Sequence, residues 1–261
     1  MKLLKALLPL GCFVLFGLLT TGAAPSNSKA ASSRSRIPAA GAADGNKLVY
    51  ADFETVKDGR PVSNRGGLVQ LYAYQSPGGA QSHFHGAKGT GVGTDPDAAK
   101  NPTETESNAP EIVRPSKSSP NKAIAFNYEL PTLDQYAGVG VQIHGRADED
   151  GKHVPDDVSG YKELTLQIYV TGIELVTVEF VSEGQGISII AGNPGITFRV
   201  QDGFNTYKVV LKQAVQPNWV DAKIDTKELM RKLTSINVLV SCNQCLGQHG
   251  TVVVDNLVFE K

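Results

Sequence analysis

A carboxylate stands in the middle of an apolar strand at the end of the chain. The last twelve residues read GTVVVDNLVFEK, and the side chains of a strand alternate between two faces. Asp255 is therefore predicted to share its face with Val253, Leu257 and Phe259, a set that faces a core. An ionised carboxylate in such a place must be paired, accept hydrogen bonds or bind a cation.

Polar residues that alternate with apolar ones in two other segments suggest a ligand-binding surface. In YKELTLQIYVTG the leucines, Ile168 and Val170 point inward, and in GVGVQIHG the inward residues are Val139, Val141 and Ile143. Amides hydrogen-bond hydroxyls, and an aromatic ring stacks on the C–H face of a sugar, so the outward residues suit carbohydrate. An ordinary solvated sheet face is the alternative. The candidate ligand-binding residues are Tyr169, His144, Gln142 and Gln167, followed by Tyr72 and Tyr74.

The segment SCNQCLGQH offers cysteine chemistry. In an exported chain the leading interpretation is a disulfide between Cys242 and Cys245, since oxidising compartments form such bonds. A zinc site with Cys242, Cys245 and His249 is an alternative that lacks a fourth ligand in the sequence. A thioredoxin-like centre needs the motif at the start of a helix, whereas here it follows a predicted strand.

Two further segments carry residues that bind metals or sugars. His83 and His85 in SHFHG lie on one face of an extended chain and suit copper or iron, but the glutamate that cupin sites use shortly afterwards is missing, which favours a solvated loop. Trp219 in AVQPNWVDAK is either a sugar platform or, as we favour, a ring packed under a loop.

The sequence offers little for hydrolysis. It contains no G-x-S-x-G motif. The acids of RADEDGKHVPDD belong to one loop, whereas a glycosidase needs two separated carboxylates that flank a cleft. We therefore expect a protein without catalytic activity.

Strands account for almost all of the predicted elements. Eleven segments rich in β-branched and aromatic residues lie between Gly, Pro, Asn and Asp breakers, from NKLVYADFET to GTVVVDNLVFE and including GISIIAG. This spacing predicts an all-β antiparallel β-sandwich. One short helix is predicted in DTKELMRKL, where Asp225 caps its start and Glu228 follows three residues later.

The composition changes along the chain and divides it into regions. Residues 1–30 have the lysines, apolar core and small residues of a signal peptide. The apolar stretch falls short of the roughly 20 residues that span a membrane, so only an uncleaved signal would anchor the chain. Residues 31–46 are predicted to form a disordered linker, and residues 47–261 one domain with a mobile loop at about 86–121.

These features indicate a secreted or periplasmic protein. A formal net charge of -1 without a basic stripe argues against nucleic acid as a partner.

Several segments together resemble a known family. They are YADFE, GRPVSNRGG, VGVQIHGRADEDGKHVPDDVSGYKELTLQIYV, QPNW and VVVDNLVFE. They are similar to the family 11 carbohydrate-binding modules and to the related complex I intermediate-associated protein 30 domain, across about Lys47 to Lys261. The resemblance implies a galactose-binding-like jelly roll.

The resemblance also implies ligands. Modules of this kind often hold a structural calcium ion where the first and last strands meet, which by position implicates Glu54, Asp255 and Asp52. It implies a non-catalytic binder of a β-glucan-like polysaccharide. A protein-binding scaffold or assembly factor of the cell envelope, built on the same fold, is the alternative function.

Overall fold

The computed structural model describes most of the chain from residue 45 onward. The described residues are 45–73, 83–85, 91–92, 109–115, 118–131, 135–143, 155–182, 192–218, 220, 223–242 and 247–261. All of them belong to one compact unit, which spans Ile37–Lys261. The predicted signal peptide and most of the predicted linker lie outside the described residues.

Strands dominate this unit. They are β1 (Lys47–Ala51), β2 (Val56–Lys57), β3 (Arg60–Pro61), β4 (Val69–Ala73), β5 (His83–His85), β6 (Gly91–Val92), β7 (Glu111–Val113), β8 (Ala123–Leu130), β9 (Gln135–Gln142), β10 (Glu163–Val170), β11 (Leu175–Ser182), β12 (Gly195–Arg199), β13 (Asn205–Val210), β14 (Leu233–Cys242) and β15 (Gln248–Glu260). A 3₁₀ turn covers Leu211–Gln213. The predicted strand GISIIAG falls mostly outside the described residues.

Two antiparallel sheets contain nearly all of the described strands. The larger sheet has eight strands in the order β13-β10-β15-β8-β5-β6, with β1 paired to β15 and β7 paired to β8. The smaller sheet has five strands in the order β12-β11-β14-β9-β4. Strands β2 and β3 form a separate hairpin. The prediction of an all-β antiparallel sandwich is confirmed.

The core lies between the inner faces of the two sheets. Leu164, Leu166 and Ile168 of the larger sheet and Val139 and Val141 of the smaller sheet are all fully buried in one cluster, as their alternation predicts.

A buried tyrosine links the sheets across this core. The hydroxyl of Tyr50, at the end of β1, donates to the carbonyl oxygen of Val141 in β9 at 3.3 Å. Its ring meets that of Phe259 edge-on, with the ring centres 5.7 Å apart. Tyr50 therefore connects β1 and β15 of the larger sheet to β9 of the smaller sheet.

The single helix of the described residues is α1 (Thr226–Arg231). The Asp225 carboxylate accepts hydrogen bonds from the backbone amides of Lys227 and Glu228 at 2.9 and 3.3 Å. The predicted helix and its cap are confirmed.

The structure departs from the prediction in the stretch 86–121. This stretch was predicted to be one loop, yet it contains β6 and β7. Residues Glu111–Val113 pair with Ala123–Ala125 of β8. The loop assignment is wrong at β6 and β7, because a short segment next to a sheet edge gains backbone hydrogen bonds that composition alone does not reveal.

Candidate functional site

The predicted ligand-binding residues are divided between two outer faces of the sandwich. Tyr169 and Gln167 lie on β10, in the larger sheet, and their side chains are half-buried on its outer face. Gln142 on β9 and Tyr72 on β4 lie on the outer face of the smaller sheet. The prediction that these residues share one surface is wrong, because alternation identifies the face of a strand but not the sheet to which the strand belongs.

The remaining two predicted ligand-binding residues, His144 and Tyr74, lie outside the described residues.

A polar row crosses the outer face of the smaller sheet. Its members are paired directly across neighbouring strands: Gln70 with Gly140, Gly140 with Asn237, and Asn237 with Glu179. The Nε2 atom of Gln142 lies 3.4 Å from Oε1 of Gln70 and extends this row along β9. Amide and carboxylate groups thus follow one line across four strands.

Two tyrosines lie at one end of this face. Tyr72 is paired with Gly138, and Tyr136 is two residues before Gly138 on β9. The rings of Tyr72 and Tyr136 meet edge-on at 6.0 Å between centres. The two half-buried rings form an aromatic corner next to the polar row.

Glycines form the floor between the tyrosines and the polar row. The outward positions of β9 are Tyr136, Gly138, Gly140 and Gln142, so two side chains are missing in succession. A Cβ atom built on Gly140 would lie 3.2 Å from Oδ1 of Asn237. A Cβ atom on Gly138 would lie 2.5 Å from the carbonyl oxygen of Val238 and 2.8 Å from Cβ of Leu239, so only glycine fits at this position. We call the strip of outer surface along β9 between Gln70, Tyr72 and Asn237 the glycine trough.

One carboxylate of this face is held by amides. The side-chain amides of Asn193 and Asn237 lie 3.3 and 3.5 Å from Oε2 of Glu179. Burial raises the pKa of the Glu179 carboxyl, and these two hydrogen bonds act in the opposite direction. The carboxyl is thereby an oriented hydrogen-bonding group within the row.

The phenol of Tyr72 remains protonated at neutral pH. Burial raises its pKa well above the usual value, and the Glu179 carboxylate acts in the same direction. The hydroxyl of Tyr72 is buried, so the hydrogen-bonding groups of the glycine trough are its amides and one carboxyl, a set that matches the hydroxyl groups of a neutral polyol.

A separate cleft lies over the larger sheet. Its volume is about 490 Å³, and Tyr169, Asn127, Phe204 and Arg114 are among the residues that line it. Of the predicted ligand-binding residues that the structure describes, Tyr169 alone faces it. Gln167 instead donates from Nε2 to Thr206 at 3.4 Å and accepts from Asn256 at 3.1 Å.

Asp255 lies at a junction in the larger sheet. One edge of β15 pairs with β8 as far as Val254 and with β1 from Leu257 onward. Thr165 and Gln167 of β10 face Val258 and Asp255, so β15 contains one extra residue at this point. Asn256 has a φ angle of 51°. The extra residue is a β-bulge between the end of β1 and the start of β8.

The bulge corrects the predicted face of Asp255. Val252 and Val254 are fully buried before the bulge, and Leu257 and Phe259 after it. Val253 therefore lies on the outer face, and Asp255, which is opposite the outward-facing Gln167 of β10, shares that face with it. The extra residue follows Asp255 and turns Leu257 and Phe259 inward, so the predicted face shared with those two residues is wrong. Asp255 itself is fully buried, as predicted.

Amide groups hold the Asp255 carboxylate. Asn256 donates its backbone amide to Oδ1 at 2.7 Å and its side-chain amide to Oδ2 at 3.0 Å, and Asn121 also donates to Oδ2. Burial raises the pKa of Asp255 to about 7. The hydrogen bonds from Asn256 and Asn121 lower that pKa, whereas the charges of Glu54 and Asp52 raise it further.

The other two predicted calcium ligands lie near Asp255 but are engaged separately. Asp52 accepts from the backbone amide of Glu54 at 3.1 Å and from the side-chain amide of Asn64 at 2.9 Å. Glu54 accepts from the backbone amide of Lys122 at 2.6 Å, and the Lys122 ammonium lies 3.8 Å from its other oxygen. Each of these carboxylates thus has its own partners.

The described residues do not form a ready cation cage. Among them, no group of three or more His, Cys, Asp or Glu side chains is arranged to hold a metal ion. Calcium binding by Asp52, Glu54 and Asp255 stays a prediction, and it requires some of the amide hydrogen bonds to be exchanged for the cation.

The predicted cysteine, histidine and tryptophan positions lie mostly outside the described residues. Trp219, Cys245 and the side chains of His83, His85 and Cys242 lie outside the described residues, so the predicted disulfide stays a prediction. His249 is exposed, with Nδ1 3.4 Å from the carbonyl oxygen of Gly247.

The row residues Asn237, Glu179 and Gln70 were missed by sequence reasoning, as was Tyr136. A signal for them exists, because Asn237 lies between the buried Ile236 and Val238 in TSINVLVS. Alternation places it on an outer face in the same way as it places Gln142.

Comparison with solved structures finds carbohydrate-binding modules. The family 11 module of a cellulosomal cellulase of Clostridium thermocellum is 16% identical, with a TM-score of 0.47 over 82% of this chain and 94% of the other. A family 11 module of the same organism, in complex with a β-1,3-1,4-mixed-linked tetrasaccharide, is 15% identical, with a TM-score of 0.47 over 82% and 95%. The family 30 module of a second C. thermocellum cellulosomal cellulase is 12% identical, with a TM-score of 0.41 over 74% and 98%.

The similarity to family 11 modules that the sequence predicts is thus also found among solved structures, at low identity. No family model and no curated protein matches the chain. Among the described residues, no helix has the length and apolarity needed to cross a membrane.

Proposed function

We propose that this protein is an exported, non-catalytic carbohydrate-binding protein and that the glycine trough is its binding surface. The observation that carries the proposal is the combination, on one sheet face, of a polar cross-strand row and a pair of tyrosines beside it. A glycan chain needs both features: hydrogen-bonding groups for its hydroxyls and a ring for its C–H faces.

The chemistry of the row suits a neutral chain. Gln70, Gln142 and Asn237 both donate and accept hydrogen bonds, as hydroxyl groups do. Burial raises the pKa of the Glu179 carboxyl, so this group loses its proton at a higher pH than a free glutamate does. The resemblance of the sequence to family 11 modules implies a β-glucan-like chain, so soluble β-glucans are the first ligands to test.

The alternative function, a scaffold that binds a protein partner, is less well supported. A protein-binding face of this fold would be expected to expose a contiguous apolar patch. Among the described residues, the exposed large apolar side chains are Val56, Leu175 and Val215, which belong to three separate segments.

Titration calorimetry and affinity electrophoresis with soluble β-glucans of several linkages test the proposal. Loss of one hydrogen bond costs about 0.5–1.5 kcal/mol, so Gln70→Ala and Asn237→Ala are each expected to weaken binding by about 2- to 10-fold. Gln213→Ala makes the same chemical change as Gln70→Ala at an exposed position in the 3₁₀ turn and should leave binding unchanged.

Gly140→Ala examines the floor of the trough. The added methyl group would lie in the trough, 3.2 Å from Oδ1 of Asn237. The protein can accommodate it by a small shift of the Asn237 side chain. We expect a normal melting temperature with weaker glycan binding. Binding that all three trough variants leave intact, or no binding across a broad polysaccharide panel, would show that the trough is not a glycan site.

Export and the absence of catalysis are tested separately. Expression of the full chain with its native N-terminus should give a processed protein outside the cytoplasm. Release of reducing ends from any bound polysaccharide by the purified protein would refute the non-catalytic part of the proposal.

A further inference from the structure

The cleft over the larger sheet lies on the opposite side of the sandwich from the glycine trough. Its volume of about 490 Å³ falls within the range of about 300–1,000 Å³ that small-ligand sites occupy. Its walls carry Tyr169, Phe204, Asn127, Arg114 and Glu111. None of these residues belongs to the trough, so the two surfaces are separate.

The floor of the cleft is a row of small side chains. Tyr169 of β10 is paired with Val253 of β15, Val253 with Ala125 of β8, and Ala125 with Glu111 of β7. Four strands at about 4.8 Å spacing make this row about 14 Å long. A tyrosine ring bounds one end and a carboxylate the other, with low apolar side chains between them.

An aromatic wall and a polar edge complete the cleft. Phe204, in the turn before β13, faces the cleft together with Tyr169. On the polar edge, the hydroxyl of Thr251 donates to Oδ1 of the exposed Asn127 at 2.7 Å. This bond orients the Asn127 amide, and its nitrogen has no hydrogen-bond acceptor among the described residues. A ligand in the cleft would therefore meet a preoriented donor.

The charges on the rim are balanced. Arg114 donates to the carbonyl oxygen of Ser119 at 2.8 Å, which fixes the position of its guanidinium group. Glu111 lies three residues earlier in the chain, at the start of β7, and is exposed. Opposite charges on one rim favour a neutral polar ligand over a strongly anionic or cationic one.

Three of the four strands under the cleft have both edges paired, whereas β7 pairs only with β8 among the described strands. Strand β10 pairs with β13 and β15, β15 pairs with β10 and β8, and β8 pairs with β15 on one edge and with β5 and β7 on the other. A peptide that binds by strand addition requires unpaired backbone groups, which these three strands do not present.

We propose that this cleft is a second binding site, which takes a short neutral saccharide of one or a few rings. Tyr169 and Phe204 supply apolar faces for the C–H surface of a ring, and Asn127 and the rim charges supply partners for its hydroxyls. The bounded volume selects a short ligand, whereas the ligand proposed for the trough is a polysaccharide chain. The site contains none of the trough residues, so this proposal does not depend on the function proposed for the trough.

Nuclear magnetic resonance titration of the full mature protein with cellobiose, laminaribiose, maltose and lactose tests the proposal. We expect saturable binding of at least one of these disaccharides, with perturbed signals at Tyr169 and Asn127. Tyr169→Ala should weaken this binding at least tenfold. Tyr169→Phe keeps the ring and should stay within about threefold of the unaltered protein, because stacking supplies most of the contact. Since Tyr169 is half-buried on an outer face, the variants are expected to fold.

Tyr136→Ala, on the trough, separates the two sites. Disaccharide binding that Tyr136→Ala retains and Tyr169→Ala loses supports the cleft, whether or not the trough binds a polysaccharide. Three outcomes overturn the proposal: no disaccharide binds, Tyr169→Ala binds normally, or Tyr136→Ala removes the binding. Preferential Tyr169-dependent binding of glucuronate or glucosamine would overturn the neutral-ligand assignment.

Discussion

Replacement of Asp255 by asparagine is expected to stabilise the protein above neutral pH. The carboxyl is fully buried in the bulge of β15, and its pKa is about 7 in the folded state against 3.8 for the free group. The folded state therefore holds the proton more tightly than the unfolded state does. The stabilisation from this group is fully present below about pH 4 and is lost as the pH rises through about 7.

The magnitude follows from the shift of about 3 pH units. At 1.36 kcal/mol per unit, the upper bound is about 4 kcal/mol. Solvent screening and the relaxation of polar neighbours reduce this value, and we expect about 2 kcal/mol. For a domain of this size, that corresponds to about 4 to 8 °C in Tm.

Urea denaturation of both proteins from pH 4 to pH 8 measures the effect. Asp255→Asn keeps the shape of the side chain without the charge, so the two proteins should be of similar stability at pH 4. At pH 8 the variant should be more stable by about 2 kcal/mol. Glu179, whose pKa is also raised, affects both proteins equally and cancels in the comparison. The reasoning would be refuted if Asp255→Asn were less stable than the unaltered protein and the difference were largest at pH 8. That result would mean that the ionised carboxylate is stabilising.

Calcium provides a second arm of the same experiment. A bound cation favours the ionised carboxylate, so calcium at pH 8 should raise the Tm of the unaltered protein, and a chelator should reverse the rise. Asp255→Asn should respond much less. Melting curves that calcium leaves unchanged in both proteins would remove the predicted site at Asp52, Glu54 and Asp255.

Three stability predictions follow from other contacts. Arg65→Met removes the two hydrogen bonds of 2.7 Å that the Asp156 carboxylate accepts in a partly buried ion pair. Urea denaturation should show a free energy of unfolding lower by about 2 kcal/mol. An unchanged free energy would mean that the pair is fully solvated. Asp225→Ala removes the cap of α1 and should cost about 1 kcal/mol by the same assay, whereas an unchanged midpoint would mean that the cap is dispensable. Gly172→Ala should lower the free energy of unfolding by at least about 2 kcal/mol, and the Tm with it. The reason is that φ of Gly172 is 85° and the new Cβ would lie 2.2 Å from the carbonyl oxygen of His249. A normal Tm would contradict this geometry.

The strands could be predicted from the sequence because their alternation is strong. In ELTLQIYV every second side chain is buried, and the two-residue period alone gives the inner and outer sets. The start of α1 was equally accessible, since the capping of a helix by Asp225 is a local interaction. These features depend on residues within a few positions of one another.

The candidate sites could not be predicted in the same way, because they depend on contacts between distant segments. The sequence shows that Tyr169 and Gln142 face outward, but only the pairing of β10 with β15 and of β9 with β14 places them on opposite sides of the sandwich. The cleft at Tyr169 depends on β7, whose three residues lie within a stretch whose composition predicts a loop. Sheet membership is decided by long-range pairing and leaves no local trace.

The bulge at Asp255 connects these observations. A regular β15 would continue the alternation from the inward-facing Val254, which would turn Asn256 inward and both Leu257 and Phe259 outward. The extra residue restores the apolar set Leu257 and Phe259 to the inside and leaves one carboxylate at the point where β1 ends and β8 begins. Because that junction lacks continuous strand pairing, its polar groups need other partners, which Asn121 and Asn256 supply. The aspartate is therefore explained by the junction of three strands, and a cation at this place would have to compete with the proton and with the amides that already satisfy it.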